Sequence, residues 1–432
     1  MADFARSTDA GVQAQLNRLS MISPAGDRLG LERVTLMLDR LGRPQDRLPP
    51  VIHVAGTNGK GSTVAFLRAA LEASGHSVHA FTSPHLVRFN ERIRIAGKLI
   101  DDATLARLLT EVLDASSGIE PSFFEVATVC ALLAFARTPA DACLLEVGLG
   151  GRLDATNVVE RPLVTAIASL ALDHQQFLGR GLVDIAGEKA AIAKAGVPLV
   201  TQRYPAAIAA RIGQIASERG ATWLARGTAW DATFRGNKLH YSDEQGALDL
   251  PAPRLPGRHQ ALNAALAVAI LRHQDKLRVP APALARAMDC ADWPARLQRL
   301  APGPLVGNRE VWLDGGHNPS AARQVAAFAK REFADGKPLH IIFASLATKD
   351  PAGMLAPFTD IVAEVHAVPI PEHASFAPDE LVAIARQLGV SAEAHEDVAG
   401  AIASVPTDAR LLIFGSLYLA GGVLAANGQP PD

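Results

Sequence analysis

Short, largely apolar runs alternate with helix-like segments through the first half of the chain. The runs have the length of strands and lie at residues 51–55, 77–82, 142–147, 163–169 and 198–202. Strands of a parallel sheet are covered by helices on both faces, so they are apolar along their whole length rather than at every second position. The pattern therefore predicts a mostly parallel sheet whose strands are connected by crossover helices.

The pattern changes in the middle of the chain. Residues 223–250 form short alternating segments with Gly236-Asn237 as a turn, which predicts a small antiparallel insert. Apolar residues at helical spacing return at 259–273 and 280–289, and these segments are predicted to be helices.

A second alternating series follows a Pro/Gly-rich stretch at 301–304. Strands are predicted at residues 310–314, 338–345, 361–368 and 409–415. Helices are predicted at residues 319–333, 378–388, 396–404 and 417–426. This series predicts a second, smaller doubly wound domain.

Composition excludes several classes of protein. At 432 residues, with 49% hydrophobic and 20% charged residues, the chain is expected to form two globular domains. A net charge of −2 provides no basic excess for nucleic acid or for a membrane surface. The three cysteines form no C-x-x-C pair, so neither a zinc site nor a disulfide framework is indicated. No apolar run reaches signal-peptide or membrane-spanning length, so a reducing cytoplasm is the expected location.

The strongest motif is a glycine-rich loop between the first strand and a helical segment. Glycines let backbone N–H groups curl around an anion, and the following helix adds its positive N-terminal dipole. Lys60, expected in a solvent-facing loop, can reach the β/γ-phosphates, and Ser62 or Thr63 can face Mg²⁺. The alternative is a glycine-rich turn with a solvated lysine, but strand and helix flanks favour nucleotide binding. The predicted ATP-binding residues are Gly56, Thr57, Asn58, Gly59, Lys60, Gly61 and Ser62.

A second motif reads LLEVGLGGRLDATN over residues 144–157. Glu146 falls near the end of a buried strand, where a carboxylate is costly unless it is paired or binds a metal. A structural ion pair is the alternative to a metal ligand. The glycines that follow let the backbone approach a ligand closely.

The loop G-x-x-G-K-G-S is shorter than the common phosphate loop and resembles that of the Mur ligase superfamily, in particular folylpolyglutamate synthase and dihydrofolate synthase. The segment SPHLVR at 83–88 and the block at 144–157 occur in the order of that family. The resemblance implies an α/β fold in two domains. Residues 1–294 are expected to form a P-loop-type ATPase domain with a mostly parallel sheet and the antiparallel insert. This domain is expected to bind ATP and the pterin. Residues 295–432 are expected to form a smaller, Rossmann-like doubly wound domain.

The resemblance also implies the metal ligands Ser62, Ser83, Glu146, His174 and Lys189. Mg²⁺ prefers oxygen, so an imidazole and an ammonium are poor ligands by chemistry alone. In the family this lysine is carbamylated, which supplies oxygen atoms and a negative charge. We therefore expect N6-carboxylated Lys189 and two Mg²⁺ ions. The segment 187–194 is predicted to be helical.

A third segment, at 122–125, admits two compatible interpretations. Ser122 and Glu125 have the spacing of a capping box at a helix start. The resemblance places the pterin-bearing substrate here, against Phe123 and Phe124. It also assigns to substrate binding the residues Arg28, Leu153, Asp154 and Ala155.

Further nucleotide contacts are implied by the resemblance later in the chain. They involve Asn263, Arg296 and Asp314, with His317 lining the cleft as a catalytic residue beside Lys60 and Lys189. Asn318 and Pro319 are explained as a helix cap and first turn. Gly316 departs from the alanine usual in the family.

The expected activity is ATP-dependent ligation through an acyl phosphate. The expected partners are ATP, L-glutamate, dihydropteroate and reduced folates, with no nucleic acid or membrane, and the protein is expected to be a monomer. A Mur-type peptidoglycan ligase is disfavoured, because only about 50 residues precede the loop, fewer than a typical separate domain has. A non-catalytic nucleotide switch is the alternative from another class.

Overall fold

A computed structural model of the chain describes residues 5–23 and 29–431. Arg28, expected to bind substrate, lies outside the described residues. The described chain divides into two compact units. The first contains residues up to 254 together with 260–292, and the second contains residues 255–259 together with those from 293 onward.

The first unit is built around a mostly parallel sheet. Its strands are β1 Val51–Ala55, β2 Val78–Phe81, β3 Ile93–Ile95, β4 Lys98–Leu99, β5 Ala142–Glu146, β6 Val164–Ile167, β7 Pro198–Thr201, β8 Thr222–Ala225, β9 Trp230–Arg235, β10 Lys238–Asp243 and β11 Gly246–Pro251. Its helices are α1 Ala10–Ile22, α2 Glu32–Arg40, α3 Lys60–Ala73, α4 Asp102–Ala115, α5 Phe123–Arg137, α6 Gln175–Leu178, α7 Leu182–Ala190, α8 Ala206–Glu218, α9 Arg258–Arg272 and α10 Ala281–Cys290.

The main sheet has the strand order β4-β3-β2-β5-β1-β6-β7-β8 in the described residues. Strands β3 and β4 are antiparallel at one edge, and the others are parallel. Register places Val54 beside Glu146, so the carboxyl ends of β1 and β5 meet at one edge of the sheet. Ligands of open α/β sheets bind at this edge, outside the carboxyl ends of the strands.

The antiparallel insert is smaller than the sequence predicts. Strands β9, β10 and β11 form a separate three-stranded sheet, and the β9–β10 turn has Gly236 and Asn237 at φ 56° and 57°. Positive φ at both turn residues is typical of a type I′ hairpin. The prediction was wrong for the start of this region, because β8 pairs in parallel with β7 and extends the main sheet.

The second unit contains a six-stranded sheet with the order β12-β13-β17-β14-β15-β16 in the described residues. Its strands are β12 Gln298–Arg299, β13 Val311–Asp314, β14 Leu339–Phe343, β15 Val362–Ala367, β16 Ala392–Ala394 and β17 Arg410–Phe414. Its helices are α11 Pro319–Glu332, α12 Pro351–Leu355, α13 Pro378–Gln387, α14 Val398–Ser404 and α15 Leu417–Ala426. Among the described strands of this sheet only β12 is antiparallel. The predicted α/β class, with a large mostly parallel sheet and a second sheet, is confirmed. No described helix has the length and apolar character needed to cross a membrane.

Candidate active site

The glycine-rich loop connects the end of β1 to the start of α3. Gly59 caps α3 in the left-handed conformation, at φ 84°. A side chain there would be strained by the backbone angle and would also overlap the amide oxygen of Asn263 on α9. Glycine at this position therefore lets Asn263, predicted to bind ATP, lie directly against the loop.

The neighbouring residues fasten the loop to the chain that follows β6. The N–H groups of Thr57 and Asn58 donate to the carbonyl of Ser169 at 2.8 and 3.2 Å. The hydroxyl of Thr57 donates to the carbonyl of Ala171 at 3.1 Å. These bonds hold the loop at the carboxyl edge of the sheet.

The two hydroxyls at the start of α3 have different surroundings. Thr63 Oγ1 donates to the carbonyl of Gly59 at 2.8 Å. Ser62 Oγ is buried and has no hydrogen-bond partner among the residues that the structure describes. Leaving a buried hydroxyl unpaired costs about 1–3 kcal/mol. The Ser62 hydroxyl is therefore available to bind a ligand, whereas the Thr63 hydroxyl is used in a hydrogen bond within the first turn of α3.

Lys60 and Glu146 face each other across this edge. Lys60 Nζ lies 3.8 Å from Glu146 Oε1 and 3.4 Å from the carbonyl of Thr57. The prediction that Lys60 lies in a solvent-facing loop was wrong, since Lys60 begins α3 and its side chain is 15% exposed beside Glu146 and the Thr57 carbonyl. Glu146 is buried at the end of β5, so both charges are held in a partly desolvated site.

The segment after β2 completes this part of the site. The N–H of Ser83 points at Glu146 Oε2 across 3.4 Å. Glu91 fixes the segment, since its carboxylate accepts from the N–H groups of Leu86, Val87 and Arg88 at 2.6–2.9 Å. Ser62, Ser83 and Glu146 are thus oxygen-bearing residues of the kind that Mg²⁺ prefers.

The glycine-rich segment after β5 packs closely on α7. A side chain at Gly151 would overlap the carbonyl of Glu188 and approach the Cα of Lys189. The N–H of Arg152 donates to the same carbonyl of Glu188 at 2.9 Å. This close approach covers Lys189, whose exposure is only 4%.

Lys189 has an environment unusual for a lysine. Burial, together with the neighbouring positive charge of Lys60, lowers its pKa to about 7, although Asp173 opposes the shift. The amine is therefore substantially neutral near neutral pH. The predicted helix over 187–194 was wrong at its end, because α7 stops at Ala190 and tight turns follow. Lys194 lies beyond those turns and donates to the carbonyl of Asn157 at 3.2 Å.

The residues after β6 include one that sequence reasoning passed over. His174 has a left-handed backbone, at φ 51°, and a partly exposed ring. Asp173 is 7% exposed at its side chain and acts electrostatically on Lys189. The signal available was a carboxylate directly before His174, in the loop that follows β6.

The predicted substrate segment begins as a helix cap. Ser122 Oγ accepts from the N–H of Glu125 at 3.2 Å, and the carboxylate of Glu125 accepts from the N–H of Ser122 at 2.7 Å. The predicted capping box is therefore confirmed. Glu125 also pairs with Arg33 at 2.9 Å. Phe123 and Phe124 are half-buried. The ring of Phe124 fills the space that a side chain at Gly148 would need.

Asp154 organises the segment in which it lies. Its carboxylate accepts from the N–H groups of Leu149 and Thr156 at 2.8 and 3.0 Å and from the hydroxyl of Thr156. Burial raises its pKa despite these bonds. Its neighbour Leu153 is half-buried and Ala155 is buried.

The second unit carries its own group of predicted site residues. Asp314 ends β13, and its carboxylate accepts from the N–H groups of Leu297 and Gly316 at 2.8 and 2.7 Å. Burial raises the pKa of Asp314, although Arg296 opposes the shift. A side chain at Gly316 would lie 2.8 Å from the Asp314 carboxylate, which explains glycine at this position.

Arg296 and His317 lie close enough to the Asp314 carboxylate to act on it electrostatically. Arg296 is half-buried and donates to the carbonyl of Ala295 at 2.8 Å, and His317 Nδ1 lies 3.1 Å from the carbonyl of Gly315. Asn318 accepts from the N–H of Ala321 at 2.9 Å, which confirms it as the cap of α11. The structure therefore groups Arg296, Asp314 and His317 within the second unit.

Comparison with known proteins shows which family has a sequence similar to this chain. Residues 305–426 match the family model described as dihydrofolate synthetase, C-terminal domain. The chain is 34% identical to the dihydrofolate synthase/folylpolyglutamate synthase of Escherichia coli over 92% of this chain and 90% of the relative. It is 35% identical to the Bacillus subtilis protein of the same name over 79% of this chain and 81% of the relative.

Solved structures show the same fold. The structure of E. coli FolC in complex with DHPP and ADP superposes with a TM-score of 0.87 at 32% identity, covering 96% of this chain and 97% of that one. A bifunctional folylpolyglutamate synthase/dihydrofolate synthase with Mn, AMPPNP and L-glutamate bound superposes with a TM-score of 0.84 at 32% identity, covering 98% and 99% of the two chains. The chain thus belongs to the dihydrofolate synthase/folylpolyglutamate synthase family.

Proposed function

We propose that the chain is an ATP-dependent ligase that joins L-glutamate to dihydropteroate and to reduced folates through an acyl phosphate. The observation that carries this proposal is the contact of Lys60, which follows the loop glycines, with the buried Glu146, beside a Ser62 hydroxyl that has no partner among the described residues. The relatives bind the corresponding molecules, since E. coli FolC holds DHPP and ADP and a second relative holds AMPPNP, Mn and L-glutamate.

The residues present fit a divalent metal at this site. The unpartnered hydroxyl of Ser62 and the buried carboxylate of Glu146 are oxygen ligands, which Mg²⁺ prefers. Two Mg²⁺ ions would be held by Ser62, Ser83, Glu146, His174 and a carbamate on Lys189, with His174 at the second ion. The ions would neutralise charge on the ATP phosphates.

The chemistry requires activation of a carboxylate, which is a poor electrophile. A carboxylate oxygen of the pteroyl substrate attacks the γ-phosphorus of ATP, and ADP leaves. The amine of L-glutamate then attacks the acyl carbon, loses a proton, and inorganic phosphate leaves with the original carboxylate oxygen. Lys60 holds the transferred phosphoryl group, and catalysis consists mainly of positioning and charge neutralisation.

We divide the substrates between the parts of the chain as follows. Residues 1–294 bind ATP and the pterin, for which the half-buried Phe123 and Phe124 offer flat apolar surface. Arg296, Asp314 and His317 are assigned, as the family resemblance implies, to nucleotide binding and to the glutamylation step.

A substrate panel tests this function. The purified chain is incubated with ATP, Mg²⁺ and L-glutamate together with dihydropteroate, a reduced folate or a UDP-linked muropeptide, and released phosphate and product mass are measured. We expect phosphate release in step with addition of one glutamate to a pteroyl acceptor. Release with the muropeptide alone would indicate a Mur-type ligase, and release without any ligated product would indicate a nucleotide switch.

Replacing Glu146 with glutamine is expected to raise the Mg²⁺ concentration needed for half-maximal ligation by about 10–100-fold, a loss typical of perturbed metal sites. Glutamine keeps the size of the side chain and removes its charge. A change in Mg²⁺ dependence would therefore reflect the lost charge rather than lost packing. Glu111→Gln is the matched control, because Glu111 pairs with Arg137 at the surface at 2.6 Å. If the Mg²⁺ titrations of wild type and Glu146→Gln coincide, Glu146 is a structural carboxylate.

A further inference from the structure

Histidines and glutamates share one face of the sheet in the second unit. The sequence E-x-H occurs on β15 as Glu364-Val365-His366 and again, at β16, as Glu393-Ala394-His395. Residues two apart on a strand lie on the same face, so each glutamate and its histidine project together. None of these residues belongs to the ligase site proposed above.

The sheet register brings a further histidine into this group. His340 on β14 pairs with Glu364 on β15, and His366 pairs with Glu393 on β16. The intervening Ile341 and Val365 lie in the apolar core that packs on the opposite face. The period-two alternation of three neighbouring strands therefore assembles a polar cluster on one side of the sheet.

Three of these side chains converge on one point. His340 Nδ1 lies 2.9 Å from His366 Nε2. Glu364 Oε2 lies 3.8 Å from His366 Nε2 and 4.0 Å from His340 Nδ1. A tetrahedral ion with ligand bonds of about 2.0–2.1 Å separates its donor atoms by about 3.3 Å. The observed triangle brackets that spacing, so small side-chain rotations suffice to place an ion at its centre.

Burial and access at the cluster suit a bound ion. The side chains of His340 and His366 are 8% and 1% exposed, whereas that of Glu364 is 31% exposed. The two imidazoles are thus held by packing, and the carboxylate marks the side open to solvent.

The other nitrogen of His366 is also engaged. His366 Nδ1 lies 3.0 Å from His395 Nε2 and 3.3 Å from the hydroxyl of Ser404 at the end of α14. A metal-bound histidine usually donates its second N–H to such an acceptor, which fixes the ring orientation and tautomer. Glu393 Oε2 lies 3.6 Å from His395 Nε2 and extends the chain of contacts.

We propose that His340 Nδ1, Glu364 and His366 Nε2 form a site for a divalent transition ion of the Zn²⁺ class, with His395 as a positioning residue. Two imidazoles and one carboxylate are donors typical of Zn²⁺ and unlike the all-oxygen set that Mg²⁺ prefers. Three protein ligands leave the fourth tetrahedral position to water. The competing arrangement is a metal-free row of neutral imidazoles joined by N–H···N bonds.

The test is a Co²⁺ titration of the full-length protein in excess Mg²⁺, followed by visible d–d absorption and by Zn²⁺ displacement. Excess Mg²⁺ competes with Co²⁺ for the ligase site. We expect one equivalent of tetrahedral Co²⁺ that Zn²⁺ displaces, and a Zn²⁺-dependent rise in Tm, because an ion bound only by the folded state stabilises it.

Glu364→Gln is the decisive variant, since its partly exposed side chain can be changed with little risk to the fold. It is expected to weaken Co²⁺ binding at least about tenfold and to abolish the Tm shift. His240→Gln is the matched control, because His240 contacts Asp249 at 2.7 Å in a surface histidine–carboxylate pair and is expected to leave binding unchanged.

Three results would overturn the proposal. The first is the absence of stoichiometric Co²⁺ binding in wild type, which would favour the metal-free row of imidazoles. The second is equal binding by wild type and Glu364→Gln. The third is a larger loss in Glu393→Gln than in Glu364→Gln, which would place the ion between His366 and His395 instead.

Discussion

Lys60→Ala is expected to lower kcat/KM for ligation on the order of 10²–10³-fold, the loss typical when one group that stabilises transferred charge is removed. The side chain lies 15% exposed between the loop carbonyl of Thr57 and the Glu146 carboxylate, where its charge is poorly screened. The measurement is steady-state phosphate release at varied ATP.

The variant is expected to remain folded. Lys60 attracts Glu146 but also repels the buried Lys189, so its removal has opposing effects on the free energy of unfolding. Lys98→Ala, at an exposed position on β4, is the matched control and is expected to retain wild-type turnover. Near-normal turnover of Lys60→Ala at saturating ATP would refute the phosphate-binding assignment of the loop.

Lys189→Ala is expected to cause a comparable loss of turnover, on the order of 10²–10³-fold, that short carboxylic acids such as acetate partly restore. We propose that the neutral amine adds CO₂ and releases a proton, so that the side chain ends in a carbamate. Burial beneath the segment at 148–154 and the neighbouring Lys60 favour the neutral amine that this reaction requires.

The carbamate can be observed directly by ¹³C NMR of protein equilibrated with ¹³C-bicarbonate. Wild type is expected to show one carbamate signal that Lys189→Ala loses. Lys194→Ala is expected to keep it, because Lys194 lies beyond the end of α7 and donates to the carbonyl of Asn157. A wild-type spectrum without a carbamate, or a signal lost only in Lys194→Ala, would contradict the proposal.

The main strands of both sheets are predicted from sequence to within two residues at each end. These strand predictions succeed because buried parallel strands are apolar throughout and are bounded by glycine and polar residues. The error at β8 arises because this strand lies at the edge of the sheet, exposed at Thr222 and half-buried at Trp223 and Leu224, and so is not buried along its length as the central strands are.

The candidate residues near the phosphate loop could be proposed from sequence wherever one short motif contains them, as at Lys60 and Glu146, and their roles stay predictions. Asp173 was passed over because its importance depends on Lys189, which is distant in sequence and close in space. The cluster around His366 was hidden for a similar reason. Its ligands come from separate strands, and the register that unites them cannot be read from local spacing such as C-x-x-C.

Transfer of oxygen from the pteroyl carboxylate to phosphate distinguishes acyl-phosphate ligation from every alternative considered. Dihydropteroate labelled with ¹⁸O in its carboxylate is converted with ATP and L-glutamate, and the inorganic phosphate is analysed by mass spectrometry. Attack of the carboxylate on the γ-phosphorus predicts one ¹⁸O in each phosphate released with glutamylated product. Phosphate without ¹⁸O would show that water, not the substrate carboxylate, attacks ATP in this site, and would contradict the proposed function.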